Sequence, residues 1–259
     1  MNKAEGESFE AERTEAEPVM ITRDVVVERL RNDEHFENTN LQDLNLAGFN
    51  LENRKFCGAD IRGIHLYEYD SATGQETKTN IRGADFTDTV IADTGTTDFF
   101  RVDAEGAGFG YTESLIDRRK RLEDAGTRPG PKDCGGVFGF DGSEGNFKKT
   151  RWSNVDFGGN SGYEAIFNRA DFSEAIISGS DLSGMDFSIM EIHEIQIVDP
   201  VSLRGMTISK EQVDDLCNGI SYTDEEKQRV FLEKKEGLGA RRLLTEHFGV
   251  IVKETERAK

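Results

Sequence analysis

The chain has 259 residues, a formal net charge of −18 and 36% hydrophobic residues. A surface this acidic repels bare nucleic acid, so direct nucleic-acid binding is not expected, and the charge favours solubility. No apolar run reaches the roughly 18 residues of a membrane-spanning helix, so no span is expected, and Cys57, Cys134 and Cys217 lie far apart without metal spacing, as suits a reducing, cytoplasmic setting.

Residues 1–20 are rich in Glu, Ala and Ser and lack the apolar stretch of a secretory signal, so a disordered tail is expected there. Residues 21–33 carry Val25, Val26, Val27 and Leu30 at spacings suited to a short amphipathic helix, which is assigned as an N-terminal cap. From Phe36 a five-residue step then lands on Leu41, Leu46, Leu51, Phe56, Ile61 and Leu66, misses at Ser71 and Glu76, and resumes in phase at Ile81, Phe86 and Ile91. Residues 71–80 therefore read as polar sides or a phase-preserving loop. Phe99, Ala104 and Phe109 keep the step in a shifted register, so the first repeat block is placed at 34–111.

Residues 112–136 leave the pattern. Ser114 and Asp117 can start a helix and Gly126 can end it, and TRPGPKDCGG reads as a loop, so an inserted helical loop is expected. It holds the densest basic cluster, Arg118, Arg119, Lys120 and Arg121, which is either a solvated helix face paired to nearby acids or a contact site for an acidic partner. The second repeat block, 137–208, steps through Phe147, Trp152, Phe157, Gly162, Phe167, Phe172, Ile177, Leu182, Phe187, Ile192 and Ile197, and Gly162 alone breaks it. Residues 209–259 read as helices over 210–217, 224–236 and 239–247, with capping boxes at Ser209/Gln212 and Thr223/Glu226. This segment is a C-terminal helical cap or an interaction module, and its helices offer a surface for a homodimer.

A period of five fits neither an α-helix, which needs steps of three and four, nor a flat strand, which alternates by two. It fits a unit of one short extended side and one tight bend. Four such sides close a square coil of about twenty residues, and coils stack at the strand spacing. The central residue of each unit points inward. The residue two places earlier meets a crowded corner, where small residues collect: Ala59, Ala84, Ala165, Ala170, Ala175 and Ser180. The residue just before the centre is often Asn or Asp, whose side chains bond nearby backbone amides.

The stretches Ala59-Asp60-Ile61-Arg62-Gly63, Ala84-Asp85-Phe86-Thr87-Asp88 and Ala170-Asp171-Phe172-Ser173-Glu174 resemble the consensus A(D/N)LXX of the pentapeptide-repeat family. The resemblance covers roughly 34–111 and 137–200 and implies an all-β solenoid, a right-handed quadrilateral β-helix, here with an inserted helical loop and a C-terminal α-helical cap. Leu44, Phe49, Arg54, Met185 and Met190 depart from the small-corner rule, so wider or distorted coils are expected there.

Catalytic and metal motifs are absent from the sequence. The four histidines are scattered, and His65 and His193 flank inward positions and are expected on the outside. A thiolate at Cys217 activated by His247 is the sole nucleophile worth naming. Asp141-Gly-Ser-Glu-Gly-Asn lacks the spacing of a calcium loop and reads as a turn. No enzyme activity, cofactor or metal is expected. The leading expectation is a protein-interaction scaffold with a protein partner. The resemblance implies two further options: export to a host cell as an effector, and an acidic rod that mimics DNA and protects or inhibits a type II topoisomerase such as gyrase.

Overall fold

The computed structural model describes residues 21–91, 97–125, 140–157 and 165–254. The expectations for the 1–20 tail, for 126–136 of the inserted loop, for Cys134 and for the break at Gly162 lie outside the described residues.

Chain order begins with helix α1 (Arg23–Arg31), whose N-cap Thr22 accepts from the Val25 amide. Val26 is its one fully buried side chain. The chain then winds through stacked turns held by parallel bridges. Asn40 pairs with Asp60, Asn45 with His65, Asn50 with Asn80 and Lys55 with Asp85, which gives four columns. The same columns continue upward, for example Asp103 to Asn146 to Asp171 to Glu191. One column matures into a six-stranded parallel sheet containing β3 (Asp85–Thr87), β5 (Gly108–Gly110), β7 (Arg151–Ser153), β8 (Ile176–Ser178), β9 (Gln196–Val198) and β11 (Ile220–Ser221).

The five-residue step is the burial pattern. Phe36, Leu41, Leu46, Leu51, Phe56, Ile61, Leu66, Ile81, Phe86 and Ile91 are all buried in the first block. So are Phe147, Trp152, Phe157, Phe167, Phe172, Ile177, Leu182, Phe187, Ile192 and Ile197 in the second, and after a shift of one residue the step resumes at Leu203 and Ile208. Most centres are followed two residues later by a left-handed backbone residue, such as Asp43, Asn53 or Glu174, and the turn closes when the next amide donates to the centre's carbonyl, as Ala175 does to Phe172. The Asn or Asp before the centre accepts from the amide two residues on, as Asp171 does from Ser173 at 3.0 Å. That position therefore braces the bend, and the positive φ itself falls three residues later. At Gly58 the positive φ coincides with a close approach of the Asn38 side chain from the coil below, so no Cβ fits.

Small corner residues are buried as expected, and threonine joins them. The buried hydroxyls of Thr79, Thr89 and Thr150 donate to the carbonyls of Leu46, Phe56 and Phe147, so each polar corner is satisfied. One rung is inverted. Stepping back from Phe147 puts Gly142 at the centre, yet Phe140, at the corner, fills the interior instead; a Cβ on Gly142 would sit 2.8 Å from the Phe140 ring and 2.7 Å from that of Phe167.

The polar interval at 71–80 is an excursion that keeps the phase. β1 (Tyr67–Asp70) and β2 (Gln75–Lys78) form an antiparallel hairpin, and its base closes where the Thr79 amide donates to Leu66 at 3.0 Å. The register shift is absorbed between Val90 and Asp98, which occupy consecutive columns above Asp60 and His65. β4 (Thr97–Asp98) then pairs with β6 (Phe140–Asp141).

The departures from the small-corner rule do not distort the coils. The bridges at Asn45, Asn50 and Lys55 are intact beside Leu44, Phe49 and Arg54. Two of these larger residues meet the cap: Arg23 of α1 lies over the Phe49 ring at 4.8 Å, and Arg54 donates to Asp33 at 2.5 Å. At the other end Met185 and Met190 are buried near the last coil. There the side chain of Gln212 donates to the carbonyls of Phe187 and Met190 at 2.8 and 2.7 Å and accepts from the Ser209 amide at 2.8 Å. Terminal coils have no next coil to supply partners, so larger side chains and cap donors take over.

The C-terminal segment adds β10 (Thr207–Ser209), α3 (Val213–Gly219), β11, α4 (Glu225–Leu238), a short helical stretch over 240–247 and β12 (Ile251–Lys253). β11 pairs with β9 and β12 with β10, both in parallel, so the segment is built onto the coil. Leu216, Phe231, Leu243 and Leu244 are buried. The expected Thr223 capping box is replaced: Asp224 caps α4 by accepting from Lys227 at 2.8 Å, and Thr223 is drawn away to Asp199, to which its hydroxyl and amide both donate.

Candidate partner-docking surface

The inserted helix α2 (Leu115–Asp124) starts at Ser114, whose hydroxyl accepts from the Asp117 amide at 3.1 Å. Its basic cluster is largely spent on this chain. Arg118 is buried, lies over the Tyr111 ring at 4.0 Å, and donates to the Glu113 carbonyl at 2.8 Å. Arg119 donates to Asp156 at 2.5 Å and Asp181 at 3.0 Å, and Arg121 forks onto the Glu113 carboxylate. Lys120 remains exposed. Arg119 ties the helix to the coil, where Asp156 and Asp181 of successive coils present paired carboxylates beneath it, and Arg121 pairs with an acid of the insertion, as the solvated-face reading expects.

A groove of about 590 Å³ runs between α2 and the C-terminal segment, lined among others by Leu115, Ile116, Asn154, Pro200, Val201 and Tyr222. A second hollow of about 480 Å³ lies along α4, with Tyr222, Val230, Phe231, His247 and Phe248 in its wall. Tyr222, Asp224 and Lys227 border both. Ile116 is 62% exposed and Val230 36%, so apolar surface borders both hollows. Val230 belongs to the apolar face of a C-terminal helix that the sequence already marks, whereas Ile116 sits on the inserted helix, outside the repeat.

The regular coil faces differ. Their carboxylates brace backbone turns and meet cations: Arg62 on Asp60, Arg82 on Asp103, Lys148 on Asp171 and Lys253 on Asp186. Hydrogen bonds from Thr87 and attraction from Lys55 hold Asp85 below the usual carboxylate range despite its partial burial, and Asp171 is lowered in the same way by Ser173 and Lys148. Asp98 is the exception. Burial raises it, and the Asp141 carboxylate stacked on it adds to the rise.

Nucleophile chemistry finds no support in these positions. Cys217 is fully buried and its thiol is pushed up by desolvation. The His247 ring faces Lys234 at 3.2 Å, and burial and that ammonium lower its pKa. Cys57 is pushed up to about 11 by burial and by the Asp85 carboxylate. His65 and His193 are exposed. Among the described residues no group of three or more His, Cys, Asp or Glu is placed to hold a metal ion, and no helix is long and apolar enough to cross a membrane.

The family model "Pentapeptide repeats" matches in 8 copies, over residues 143–179 and 163–188. No curated protein matches the chain. Among solved structures, full-length QnrB1, a plasmid-mediated fluoroquinolone resistance protein, is 14% identical with a TM-score of 0.32, over 78% of this chain and 89% of that one. The pentapeptide-repeat protein Rfr23 from the cyanobacterium Cyanothece 51142 is 12% identical with a TM-score of 0.25, over 70% and 95%. HetL, a pentapeptide-repeat protein involved in heterocyst differentiation regulation from Nostoc sp. strain PCC 7120, is 12% identical with a TM-score of 0.19, over 73% and 91%. Those likenesses are too slight to speak to function. The matched copies fall on the grid that buries one residue in five from Phe147 to Phe187, so residues 143–188 of this chain carry pentapeptide repeats.

Proposed function

We propose that this chain is a non-enzymatic protein-interaction scaffold that docks a protein partner along the groove between α2 and α4. The observation that carries the reading is a groove of mixed lining in which Leu115 and Ile116 of the inserted helix and Tyr222 of the C-terminal segment set apolar side chains among polar ones such as Ser178, Asp199 and Thr223. A rigid repeat core separates fold from recognition, and irregular elements are where recognition residues can vary. The coil is taken to be right-handed, the sense that parallel crossovers almost always follow. The six segments drawn from the sequence fit this division of labour, with 112–136 and 209–259 as the recognition segments.

The phosphate-mimic alternative, a rod that occupies the DNA groove of a type II topoisomerase, has weaker support. Such a surface needs free negative charge in rows, whereas Asp60, Asp103, Asp156, Asp171, Asp181 and Asp186 each face a cation of this chain. The free thiols Cys57 and Cys217 favour a cytoplasmic setting over export. Two measurements separate the readings. Partner capture lost in Ile116→Asp supports the groove, and capture unchanged in that variant counts against it. Altered gyrase supercoiling at low salt, fading as salt rises, would favour the mimic instead.

A further inference from the structure

Helix α2 is held to the coil more by charge than by apolar surface. Of its ten residues only Leu115 and Arg118 are buried, whereas a helix docked by hydrophobic burial presents a broad apolar stripe. Its ion-paired tie to the coil is Arg119, whose guanidinium is shared between the carboxylates of Asp156 and Asp181; beside it Arg118 lies over the Tyr111 ring and donates to the Asn154 carbonyl at 3.4 Å. Both carboxylate side chains are well shielded, at 11% and 13% exposure, while Arg119 keeps 32%. Neither aspartate depends on Arg119 for its place: their backbones form a parallel bridge, and Asp181 accepts from the Ser183 amide at 3.0 Å through its other oxygen.

We propose that α2 is an ion-latched strap, which lets go of the coil as a unit when the tie from Arg119 to Asp156 and Asp181 is broken, leaving the coil beneath intact. The consequence for binding rests on the docking reading above. Leu115 and Ile116 form one wall of the groove, so release of α2 removes that wall and lowers capture of the partner.

The test is hydrogen exchange on the full chain. In Arg119→Gln, amide protection over 115–124 falls about tenfold or more, the equivalent of a charge-assisted hydrogen bond lost from a local opening equilibrium. Protection in β7 and β8 is unchanged. Arg119→Lys falls between, because a single ammonium keeps the charge without the planar fork that spans two carboxylates. Unchanged protection of α2 in Arg119→Gln overturns the strap, as does loss of α2 together with β7 and β8. If α2 loosens and partner capture stays at the wild-type level, control of the groove is overturned. If the wild type captures no partner at all, the docking reading fails while the exchange result still decides the strap.

Discussion

The indole of Trp152 stacks on the ring of Phe109 with centroids 4.2 Å apart and planes 13° from parallel. They are successive members of one interior column, in which Phe36, Phe56, Phe86 and Phe109 also follow one another at stacking distance. The indole N–H donates to the Thr150 hydroxyl at 2.9 Å, which is how the largest side chain is accommodated without an orphan donor. Trp152→Ala should cost about 3–5 kcal/mol by removing that packing and leaving a cavity. Chemical denaturation measures it, and a loss under about 1 kcal/mol would mean that the column collapses to fill the gap.

The inverted rung makes a paired prediction. Gly142→Ala should cost about 1–3 kcal/mol, because the added methyl overlaps the rings of Phe140 and Phe167. Phe140→Ala alone should cost about 3–5 kcal/mol. The double variant Phe140→Ala with Gly142→Phe restores the ordinary pattern and should recover most of the loss. A double-mutant cycle in thermal unfolding measures the coupling, and additive losses would contradict the inversion.

Gln212 closes the top of the coil with its side-chain amide. Gln212→Leu keeps a similar volume but removes the side-chain donor from the Met190 carbonyl and leaves the Phe187 carbonyl with the Met190 amide, so a loss of about 1–3 kcal/mol is expected. Gln212→Glu should be no better, since a carboxylate cannot donate to either carbonyl. Denaturant unfolding of both variants decides it.

Asp98 makes stability depend on pH in a defined sense. Its folded pKa is raised by burial and by Asp141, with His65 opposing, so the folded state holds this proton more tightly than the unfolded chain does. Its contribution to stability is therefore present in acid and is lost as pH rises through the folded value. Asp98→Asn removes the charge and retains an acceptor for the Phe100 amide. The variant should be more stable than wild type at neutral pH by about 0.2–1 kcal/mol, the scale of opposed cross-strand charges. The gain should shrink as pH falls below the raised pKa. Asp171→Asn works the other way: its folded pKa is lowered, so its contribution is present above the unfolded value and disappears as pH drops.

The core was legible in sequence because burial of one side chain in five leaves a mark that no helix or flat strand imitates. Caps were legible in outline from Val26 and from Ser209 with Gln212. Other features required distances that sequence does not carry. Arg119 reaches Asp156 and Asp181, 37 and 62 positions away, so its cluster read as a surface patch. The exchange of roles between Phe140 and Gly142 depends on what Phe167 leaves open above them. Phe49 and Arg54 break the repeat pattern in sequence because their partners, Arg23 of α1 and Asp33 just after it, lie outside the repeat. The groove beside Ile116 exists because an insertion and a C-terminal helix converge on one side of the coil, and neither carries the period.

Site-specific photo-crosslinking tests the docking claim most directly. A crosslinking residue at position 116, another at 230 and a control at 69 on the exposed hairpin are compared in extract of the source cell. The same protein partner should be trapped from 116 and from 230 and not from 69, while a second copy of this chain in that role would assign the surface to a homodimer. A partner trapped from 69 alone, or equally from all three positions, would contradict a docking groove between α2 and α4.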